Sequence, residues 1–322
     1  MLEVINRINT HGFKAYLVGG PIRDMFLKQE NQDLDIFTTA PLDVVKTLFK
    51  DAKIIDVEKG TLILIYKGTH YEISSFQKGH TTLLEDAKSR DFTMNSLYYD
   101  GKVHDFVGGI EDIEHRRIRM NDESVMVEDP IRILRALRFV STLGFRLEHK
   151  TERALFKHKH LLNTLAKERI LKEFKGILLG TDVSYVMHHY VDILAIIFPE
   201  LKIMEHFNQH NPHHAYDLLT HTIKVMEHTP EDETLRLAAF FHDFGKVETF
   251  FVDKEGVGHF YGHEKVSAKL ASKYLTFLQE DKKIRSEVIE LVSLHGYPTQ
   301  TTLKGIRRLN LKLEHTTFEN LL

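Results

Sequence analysis

The sequence predicts an α+β protein, with a mixed sheet and helices in the first third of the chain and helices alone in the rest. Up to about residue 107, short runs with the alternating pattern of strands lie between helical runs. From about residue 110 the strands stop, and apolar residues recur at intervals of three and four, as in stacked helices. We therefore predict segments at 1–110, 111–205 and 206–322.

The individual elements follow from the same periodicities. The predicted strands cover residues 14–18, 34–37, 61–66, 70–76 and 96–99, with helices at 21–27 and 41–48 between them. The later helices are predicted at 130–143, 151–162, 166–178, 218–227 and 234–241. Joints are expected at 180–183 and 206–212, and we find no internal repeat.

Composition and charge restrict the classes of protein. The chain has 322 residues, no cysteine and a formal net charge of −3, so thiolate metal sites are excluded and a polyanion needs a local basic surface. The absence of a leader and of an apolar run of about 18 residues predicts a cytoplasmic protein without membrane contact.

Two aspartates separated by one residue, Asp33 and Asp35, fall at the second predicted strand. Alternate side chains of a strand share a face, so both carboxylates point the same way and repel unless a cation lies between them. We predict that Asp33 and Asp35 bind Mg²⁺. The alternative is a solvated strand end.

A pair of glycines precedes this motif. Gly19 and Gly20 lie after an apolar strand and before a helix, where backbone amides and the helix N-terminus can receive a phosphate. Arg23 and Asp24 follow one turn into that helix. The two motifs together predict a site where a triphosphate meets a metal ion, whereas the glycines alone would be compatible with a simple tight turn.

Four segments in this order resemble the class II template-independent RNA nucleotidyltransferases, the CCA-adding enzymes and bacterial poly(A) polymerases. Their phosphate-and-metal motif is similar to LVGGPIRD and QDLDIFT, and their ribose-selecting segment and connector are similar to RDFTMNSLYYDGKVHDFVGG at 90–109. Their base-reading motif is similar to EDPIRILRALRF at 128–139, and their neck motif to KERILKEFKGIL at 167–178. The resemblance implies a nucleotidyltransferase head followed by an all-α neck and body.

The resemblance also implies a chemistry. The 3′-hydroxyl of an RNA would attack the α-phosphorus of a nucleoside triphosphate, with Mg²⁺ on the catalytic residues Asp33 and Asp35. Glu72 is a candidate third carboxylate, with a solvated strand glutamate as the alternative. Arg90 and Asp91 would contact the nucleotide, and Asp91 is expected to cap a helix that begins near residue 92. The family usually has an arginine at the position of Ser89.

Base selection without a template requires a protein surface that imitates a base edge. Asp129 and Arg132 are three residues apart, so we expect them to be neighbours on one helical face, with an acceptor beside a donor. Cytosine and adenine fit that order and uracil and guanine do not. An ordinary surface ion pair is the alternative. Arg135 and Arg138 continue the basic face toward a triphosphate or the RNA backbone, unless they are simply a polar helix surface.

The last third resembles an HD domain, a helical metal phosphohydrolase fold, over QHNPHHAYDLLTHT, FFHDFGK, HFYGHEKVS and VSLHG. The resemblance implies His221, His242 and Asp243 as ligands of a second divalent transition metal, with His263 and His295 as further candidates. Gly296 stands where a closing aspartate is expected, which argues against hydrolysis. RNA-facing or surface histidines are the alternative.

The expected function is addition of CMP and AMP from CTP and ATP to tRNA 3′ ends. The alternatives are poly(A) addition, addition of only the C or only the A residues, or a phosphohydrolase or RNA-binding protein whose head is inactive. The sequence does not determine the order of addition, the stopping point or the oligomeric state.

Overall fold

A computed structural model of the chain describes residues 2–29, 34–57, 60–77, 79–210 and 216–296, with Leu313 and His315. Its contacts divide the chain into two compact units. The first is Met1–Asp129 with Arg146–Ala154, and the second is Pro130–Phe145 with Leu155–Leu322.

A seven-stranded mixed sheet forms the centre of the first unit. Its strands are β1 (Ala15–Val18), β2 (Asp35–Thr38), β3 (Lys53–Val57), β4 (Thr61–Tyr66), β5 (Thr69–Ser75), β6 (Leu97–Tyr99) and β7 (Val103–Asp105). The strand order is β3-β4-β5-β2-β1-β6-β7, and β2 pairs with β5 in parallel while the other neighbours are antiparallel. The parallel pair contains Asp35, one of the two predicted metal ligands, at the first position of β2.

Helices cover this sheet. They are α1 (Leu2–Thr10), α2 (Gly20–Phe26), α3 (Leu42–Leu48), α4 (Leu83–Ser89), α5 (Gly109–Glu114) and α6 (Ser124–Glu128). The alternation of β4 buries Leu62, Leu64 and Tyr66 in a cluster that includes residues of α1 and α3. A smaller cluster around Phe37 and Tyr98 includes Ala87 of α4. The helices therefore stabilise the sheet by burying apolar side chains.

The residues that the structure describes after Asp129 are almost entirely helical. Their helices are α7 (Ile131–Leu143), α8 (His149–His158), α9 (Lys167–Leu178), α10 (Val183–His189), α11 (Val191–Leu194), α12 (Glu200–Met204), α13 (Leu218–His228), α14 (Glu233–Phe241), α15 (Lys246–Thr249), α16 (His263–Phe277) and α17 (Lys282–Leu294). Phe174, Phe198 and Phe240 pack ring against ring in their core, with centroids 4.7 to 5.1 Å apart. The predicted α+β class is confirmed.

Short strands follow residue 110, so the prediction that strands stop there is wrong in detail. β8 (Arg117–Ile118) pairs in parallel with β9 (Arg146–Leu147), and β10 (Phe251–Val252) pairs antiparallel with β11 (Gly258–His259). Two-residue strands carry too little alternation to be recognised from sequence. Within the described residues, no helix is long and apolar enough to cross a membrane.

Candidate functional sites

The sheet aligns one predicted metal ligand with a second carboxylate. Asp35 begins β2, and its partner in the parallel register is Glu72 of β5, so both side chains lie on the same face. Glu72 is exposed and Asp35 is partly buried. Asp33 lies outside the described residues. This register is compatible with Glu72 as a third carboxylate beside the predicted metal ion. That role remains a prediction.

The glycine turn lies against the same carboxylate. Gly19 has φ 77° and ψ −130°, a backbone conformation that glycine adopts without strain, and it caps α2, which begins at Gly20. A Cβ atom at Gly19 would lie 3.8 Å from Asp35 Oδ2. That distance is an ordinary van der Waals contact, so the positive φ, and not a lack of space, is what requires glycine at this position.

A buried hydrogen-bond network connects α2 to the predicted ribose-binding segment. Arg23 donates from Nε to Asp24 Oδ1 at 2.8 Å and from a terminal nitrogen to Asn95 Oδ1 at 2.8 Å. Asn95 Nδ2 in turn donates to Asp91 Oδ1 at 3.2 Å. All four residues are less than a tenth exposed. Asn95 fixes Arg23 and Asp91 relative to each other, a role that the sequence analysis did not assign.

Asp91 differs from its expected role as a helix cap. Its carboxylate accepts the Phe92 backbone N–H at 2.7 Å, but only a single 3₁₀ turn, Thr93–Asn95, follows, and no side chain caps it. The chain turns back into β6 directly afterwards, which leaves no room for a longer helix. Asp91 is therefore held by the Phe92 amide and Asn95.

Arg90 is held against the sheet. Its Nε lies 2.9 Å from Asp86 Oδ2 and 3.2 Å from the Tyr98 hydroxyl, which itself donates to Asp86 at 2.5 Å. Burial acts to lower the pKa of Arg90, but the Tyr98 hydroxyl and the Asp86 carboxylate beside it outweigh burial, and the pKa is raised. Burial is also the main reason that the pKa of Tyr98 is raised. Arg90 is thus a fixed positive charge beside Asp91.

The expectation that Asp129 and Arg132 share one helical face is wrong as stated. Asp129 is the residue after α6, with φ −141° and ψ 89°, and α7 begins only at Ile131. Asp129 ends the first compact unit and Arg132 belongs to the second. The proline at 130 disfavours helical geometry at the residue before it, which is the physical reason. The base-reading role of the pair remains a prediction.

The two arginines that follow on α7 both lie near the Phe139 ring, and their predicted contact with a triphosphate or the RNA backbone remains a prediction. Arg138 Nε lies 2.6 Å from Glu173 of α9, and its guanidinium covers the Phe139 ring at 4.5 Å. A Cβ at Gly176 would lie 2.4 Å from Arg138 Cδ, so this glycine makes room for the side chain. These contacts support a structural role for Arg138. The Arg135 guanidinium carbon lies 5.9 Å from the centroid of the Phe139 ring.

The histidine-rich part forms a compact cluster around one carboxylate. Asp243 is 1% exposed, and its Oδ2 lies 3.3 Å from His221 Nε2 and 3.1 Å from His242 Nε2. Its Oδ1 lies 3.4 Å from His263 Nε2 and 3.6 Å from His295 Nε2. Two triads, each with candidate ligand atoms within 4.8 Å of one another, therefore share Asp243. The three predicted ligands and both further candidates lie together.

The hydrogen bonds of the rings leave their Nε2 atoms directed at one another. The Nδ1 atoms of His242, His263 and His295 donate to the carbonyls of Ala239, Phe260 and Val292 at 2.7 to 2.9 Å. In neutral rings this leaves each Nε2 as a lone-pair acceptor. Yet the Nε2 atoms of His263 and His295 are 3.2 Å apart. A cation between them relieves that repulsion, and backbone carbonyls behind metal-binding imidazoles are the usual arrangement.

Distances and donor types also fit a metal. Nitrogen ligands about 2.0–2.1 Å from a tetrahedral ion lie about 3.3 Å apart, which is close to the separations here. Asp243 Oδ2 makes no well-aligned hydrogen bond, although Lys246 Nζ is 2.8 Å away. Burial by itself raises the pKa of Asp243, but His242, His263 and His295 hold it well below its usual range. Asp243 is thus an anion available to metal.

Two nearby residues were not singled out from sequence. Lys246, in the quoted segment FFHDFGK, is 5% exposed and also contacts Gln209 Oε1 at 3.2 Å. A Cβ at Gly296 would lie 2.6 Å from Glu264 Oε1, so a carboxylate from another helix already occupies the space beside Gly296. A lysine three residues after a His-Asp pair is the sequence signal that could have identified Lys246.

Comparison with known domain families gives three matches in the same order as the predicted segments. Residues 15–119 match the poly A polymerase head domain. Residues 144–204 match the probable RNA and SrmB- binding site of polymerase A, and residues 203–319 match the HD domain. The boundaries 1–110, 111–205 and 206–322 remain predictions.

The chain is also similar in sequence to CCA-adding enzymes. The chain is 36% identical to the CCA-adding enzyme of Bacillus pumilus, over 56% of this chain and 49% of that protein. It is 37% identical to the CCA-adding enzyme of Enterococcus faecalis, over 56% and 48%. The chain thus spans about half the length of these relatives.

A crystal structure of the Bacillus stearothermophilus CCA-adding enzyme in complex with CTP is similar over 97% of this chain and 80% of that chain. The TM-score is 0.61 and the identity 27%. Sequence motifs, domain matches and fold therefore agree: the chain is similar to CCA-adding enzymes, and it matches a poly A polymerase head domain, the RNA-binding region of polymerase A and an HD domain in that order.

Proposed function

We propose that this protein adds CMP and AMP to the 3′ end of tRNA, using CTP and ATP and releasing pyrophosphate. The observation that carries the proposal is the alignment of Asp35 with Glu72 in parallel strands, next to the turn at Gly19. The likeness to CCA-adding enzymes, one of them in complex with CTP, supports the choice of substrates.

The family uses divalent metal, and we propose Mg²⁺ at the head. Carboxylate oxygens are the ligands that Mg²⁺ prefers, and Asp33 and Asp35, with Glu72 as a third candidate, would supply them. The ion would lower the pKa of the RNA 3′-hydroxyl and stabilise the charge on the phosphates. The RNA oxygen attacks the α-phosphorus as the bond to pyrophosphate breaks, and no covalent enzyme intermediate is required.

The other predicted nucleotide-binding residues would position the nucleotide. The backbone at Gly19 and Gly20 would receive phosphate oxygens, and Asp91, held by Asn95, would accept a ribose hydroxyl. Arg90 would contribute a fixed positive charge. Asp129 would accept the exocyclic amino group of cytosine or adenine, and Arg132 would donate to the ring nitrogen beside it.

The direct test uses purified protein and tRNA that lacks its terminal CCA. CTP and ATP are supplied singly and together, and product length is measured on a gel. Three added residues with both nucleotides support CCA addition. A long tail with ATP alone would indicate poly(A) addition, and one kind of nucleotide only would indicate a partial CC- or A-adding enzyme.

As a second candidate function, we propose metal-dependent phosphoester hydrolysis at the HD cluster. The specific observation is that Asp243 is shared by two triads, one with His221 and His242 and one with His263 and His295. Imidazole and carboxylate ligands favour a transition metal, and three protein ligands leave positions open for water and a phosphate. The second imidazole pair would compensate for the carboxylate that Gly296 does not provide.

Hydrolysis can be measured on RNA that ends in a 2′,3′-cyclic phosphate, a substrate class consistent with repair of RNA ends. Opening of the cyclic phosphate that occurs only with added Mn²⁺ or Zn²⁺ would support the second candidate function. Metal retention without hydrolysis would restrict this part to a metal-stabilised scaffold. We place both activities in the cytoplasm, where tRNA and triphosphates occur together.

A further inference from the structure

An open apolar cavity lies in the second compact unit. Its volume is about 290 Å³, and it is bordered by the 3₁₀ helix Lys159–Thr164, by α9 and α16, and by the chain between α11 and α12. Leu162, Ile170 and Ile197 form its apolar walls and are less than a tenth exposed. Neither proposed function uses these residues.

The cavity is large for a gap in packing. Voids in protein interiors seldom exceed the size of a water molecule, whereas ligand pockets begin at about 300 Å³. A dry cavity of about 150 Å³ lined by aliphatic and aromatic side chains binds benzene. The cavity here has about twice that volume, so it has room for an apolar body of about two fused rings.

Two lysine side chains lie at the rim of the cavity. Lys167 Nζ is 4.4 Å from the centroid of the Phe277 ring, and Lys273 Nζ is 5.1 Å from the centroid of the Tyr274 ring. Within the part of the chain that the structure describes, no carboxylate pairs with either ammonium, and no acidic side chain lines the cavity. The rim therefore carries positive charge of one sign, which favours an anion.

The interior of the cavity offers no comparable polar contact. The Tyr274 hydroxyl donates to Glu200, which is not part of the lining, so the cavity meets the tyrosine ring. Among the described lining residues, the one uncharged amide belongs to Asn163, which is exposed. A ligand that fits these surroundings has an apolar body with its charge at one end.

Lysine stems that simply cover apolar surface are the ordinary explanation for such a rim. They account for the contact of Lys167 with Phe277, but they leave the space beneath unfilled. Phe277 also remains 50% exposed beside that space. An apolar ligand would bury part of this ring, and removal of apolar surface from water is favourable.

We propose that this cavity binds a small aromatic carboxylate, with its rings inside and its carboxylate at the ammonium groups of Lys167 and Lys273. Aromatic bodies suit the site because contacts with the Tyr274 and Phe277 rings add to the burial of area. A flat, rigid ligand also loses little conformational entropy on binding. The inference is independent of nucleotide transfer and of hydrolysis at the HD cluster.

The test uses the full chain and 1-naphthaleneacetate, a carboxylate with two fused rings. The neutral 1-naphthaleneacetamide has nearly the same size and shape and serves as the matched ligand. Titrations followed by ligand-observed NMR at low salt give both dissociation constants. We expect the carboxylate to bind with a Kd of about 1 mM or tighter. It should bind about fivefold more tightly than the amide, because exposed ion pairs contribute modestly.

Three variants locate the binding. Lys167→Gln combined with Lys273→Gln should abolish the preference for the carboxylate and retain binding of the amide. Ile196→Trp, at a half-buried lining position, should weaken both ligands because the larger side chain occupies the cavity. The matched control is Lys172→Gln combined with Lys265→Gln, which removes two exposed charges from the same two helices outside the lining. It should leave both constants unchanged.

Four results would overturn the inference. They are the absence of saturable binding of either ligand at several millimolar, equal constants for the carboxylate and the amide, an equal loss of preference in the matched control, and wild-type binding by folded Ile196→Trp. Circular dichroism checks the fold of each variant. Nucleotide incorporation does not enter the measurement, so a failure of CCA addition leaves the result on this cavity unaffected.

Discussion

The head and the HD cluster are both candidate metal sites, and they differ in ligand type and in exposure. The head offers carboxylate oxygens, with Glu72 exposed and Asp35 only partly buried. The HD cluster offers four imidazoles around Asp243, which is 1% exposed. Oxygen ligands suit Mg²⁺, which keeps several waters and binds with its substrate, whereas imidazoles hold transition metals without a substrate.

This difference indicates which of the two sites can bind a metal with protein side chains alone. Under the proposed functions, the HD cluster would have enough ligands to hold metal in the free protein. The head site would be completed by the triphosphate, so its carboxylates would direct a metal that arrives with the nucleotide. The two sites should therefore respond differently to chelation, to substitution and to the supply of nucleotide.

The largest expected effect is on transfer at the head. Asp35→Ala or Asp33→Ala should lower the rate of CMP incorporation by roughly a thousandfold or more, because each removes a metal ligand worth several kcal/mol in the transition state. The measurement is single-turnover incorporation into tRNA lacking CCA, with circular dichroism as the check on folding. Activity within tenfold of wild type would contradict the assignment of Asp33 and Asp35 as metal ligands. Glu72→Gln tests the third carboxylate in the same assay.

The second effect concerns metal retention. Protein purified and dialysed without added metal should contain transition metal, and His242→Ala combined with Asp243→Ala should remove it, because Asp243 is shared by both triads. The measurement is elemental analysis by mass spectrometry. Magnesium should be lost on dialysis from both proteins. Wild-type protein that holds no metal after loading with Zn²⁺, Mn²⁺ or Co²⁺ would contradict the account of this cluster.

The third effect is on base selection. Asp129→Ala or Arg132→Ala should reduce the preference for CTP and ATP over UTP and GTP by roughly 5- to 150-fold, since a good base contact contributes about 1–3 kcal/mol. Competition assays with all four nucleotides measure it. Arg138→Ala is the matched control, because the Arg138 guanidinium is paired with Glu173 of α9. Unchanged selectivity in both test variants would reduce the pair to ordinary polar residues.

The smallest effect is on the alignment of the ribose site. Asn95→Ala removes the hydrogen bonds to Arg23 and Asp91, at a cost of about 1.5 kcal/mol or roughly tenfold in kcat/KM for ATP. If Asn95 positions Asp91, the preference for ATP over dATP should also fall, whereas general destabilisation would not change that ratio. Ser89→Ala, which loses only a bond to the Asp86 carbonyl, is the control. An unchanged ratio would disprove the positioning role.

How much could be predicted from sequence depended on whether local pattern or distant contact determines a feature. The strands at β1, β2, β4, β5 and β6 were predicted because alternation is local. α4 was missed although Thr82 and Glu85 form a capping box there, a signal that sequence reasoning can use. β3 and β7 were missed because their pairing with β4 and β6 identifies them, and pairing is not local.

The candidate functional sites show the same difference between local sequence pattern and contacts of residues distant in sequence. The cluster at Asp243 was largely anticipated because His-Asp pairs are conspicuous in sequence, yet the sharing of one carboxylate by two triads required the positions of four helices. Asn95 was inside a quoted motif but received no role, since its partner Arg23 is 72 residues away. The break in the helix at Asp129 was misjudged although Pro130 signalled it.

The central claim is that nucleotide transfer depends on the head carboxylates and is independent of the HD cluster. The most direct measurement compares the rate of CMP and AMP incorporation in Asp35→Asn and Asp243→Asn, which both replace a carboxylate by an amide of nearly the same size. We expect Asp35→Asn to lose roughly a thousandfold and Asp243→Asn to stay within about twofold of wild type. Comparable losses in both folded variants, or loss in Asp243→Asn alone, would contradict the account.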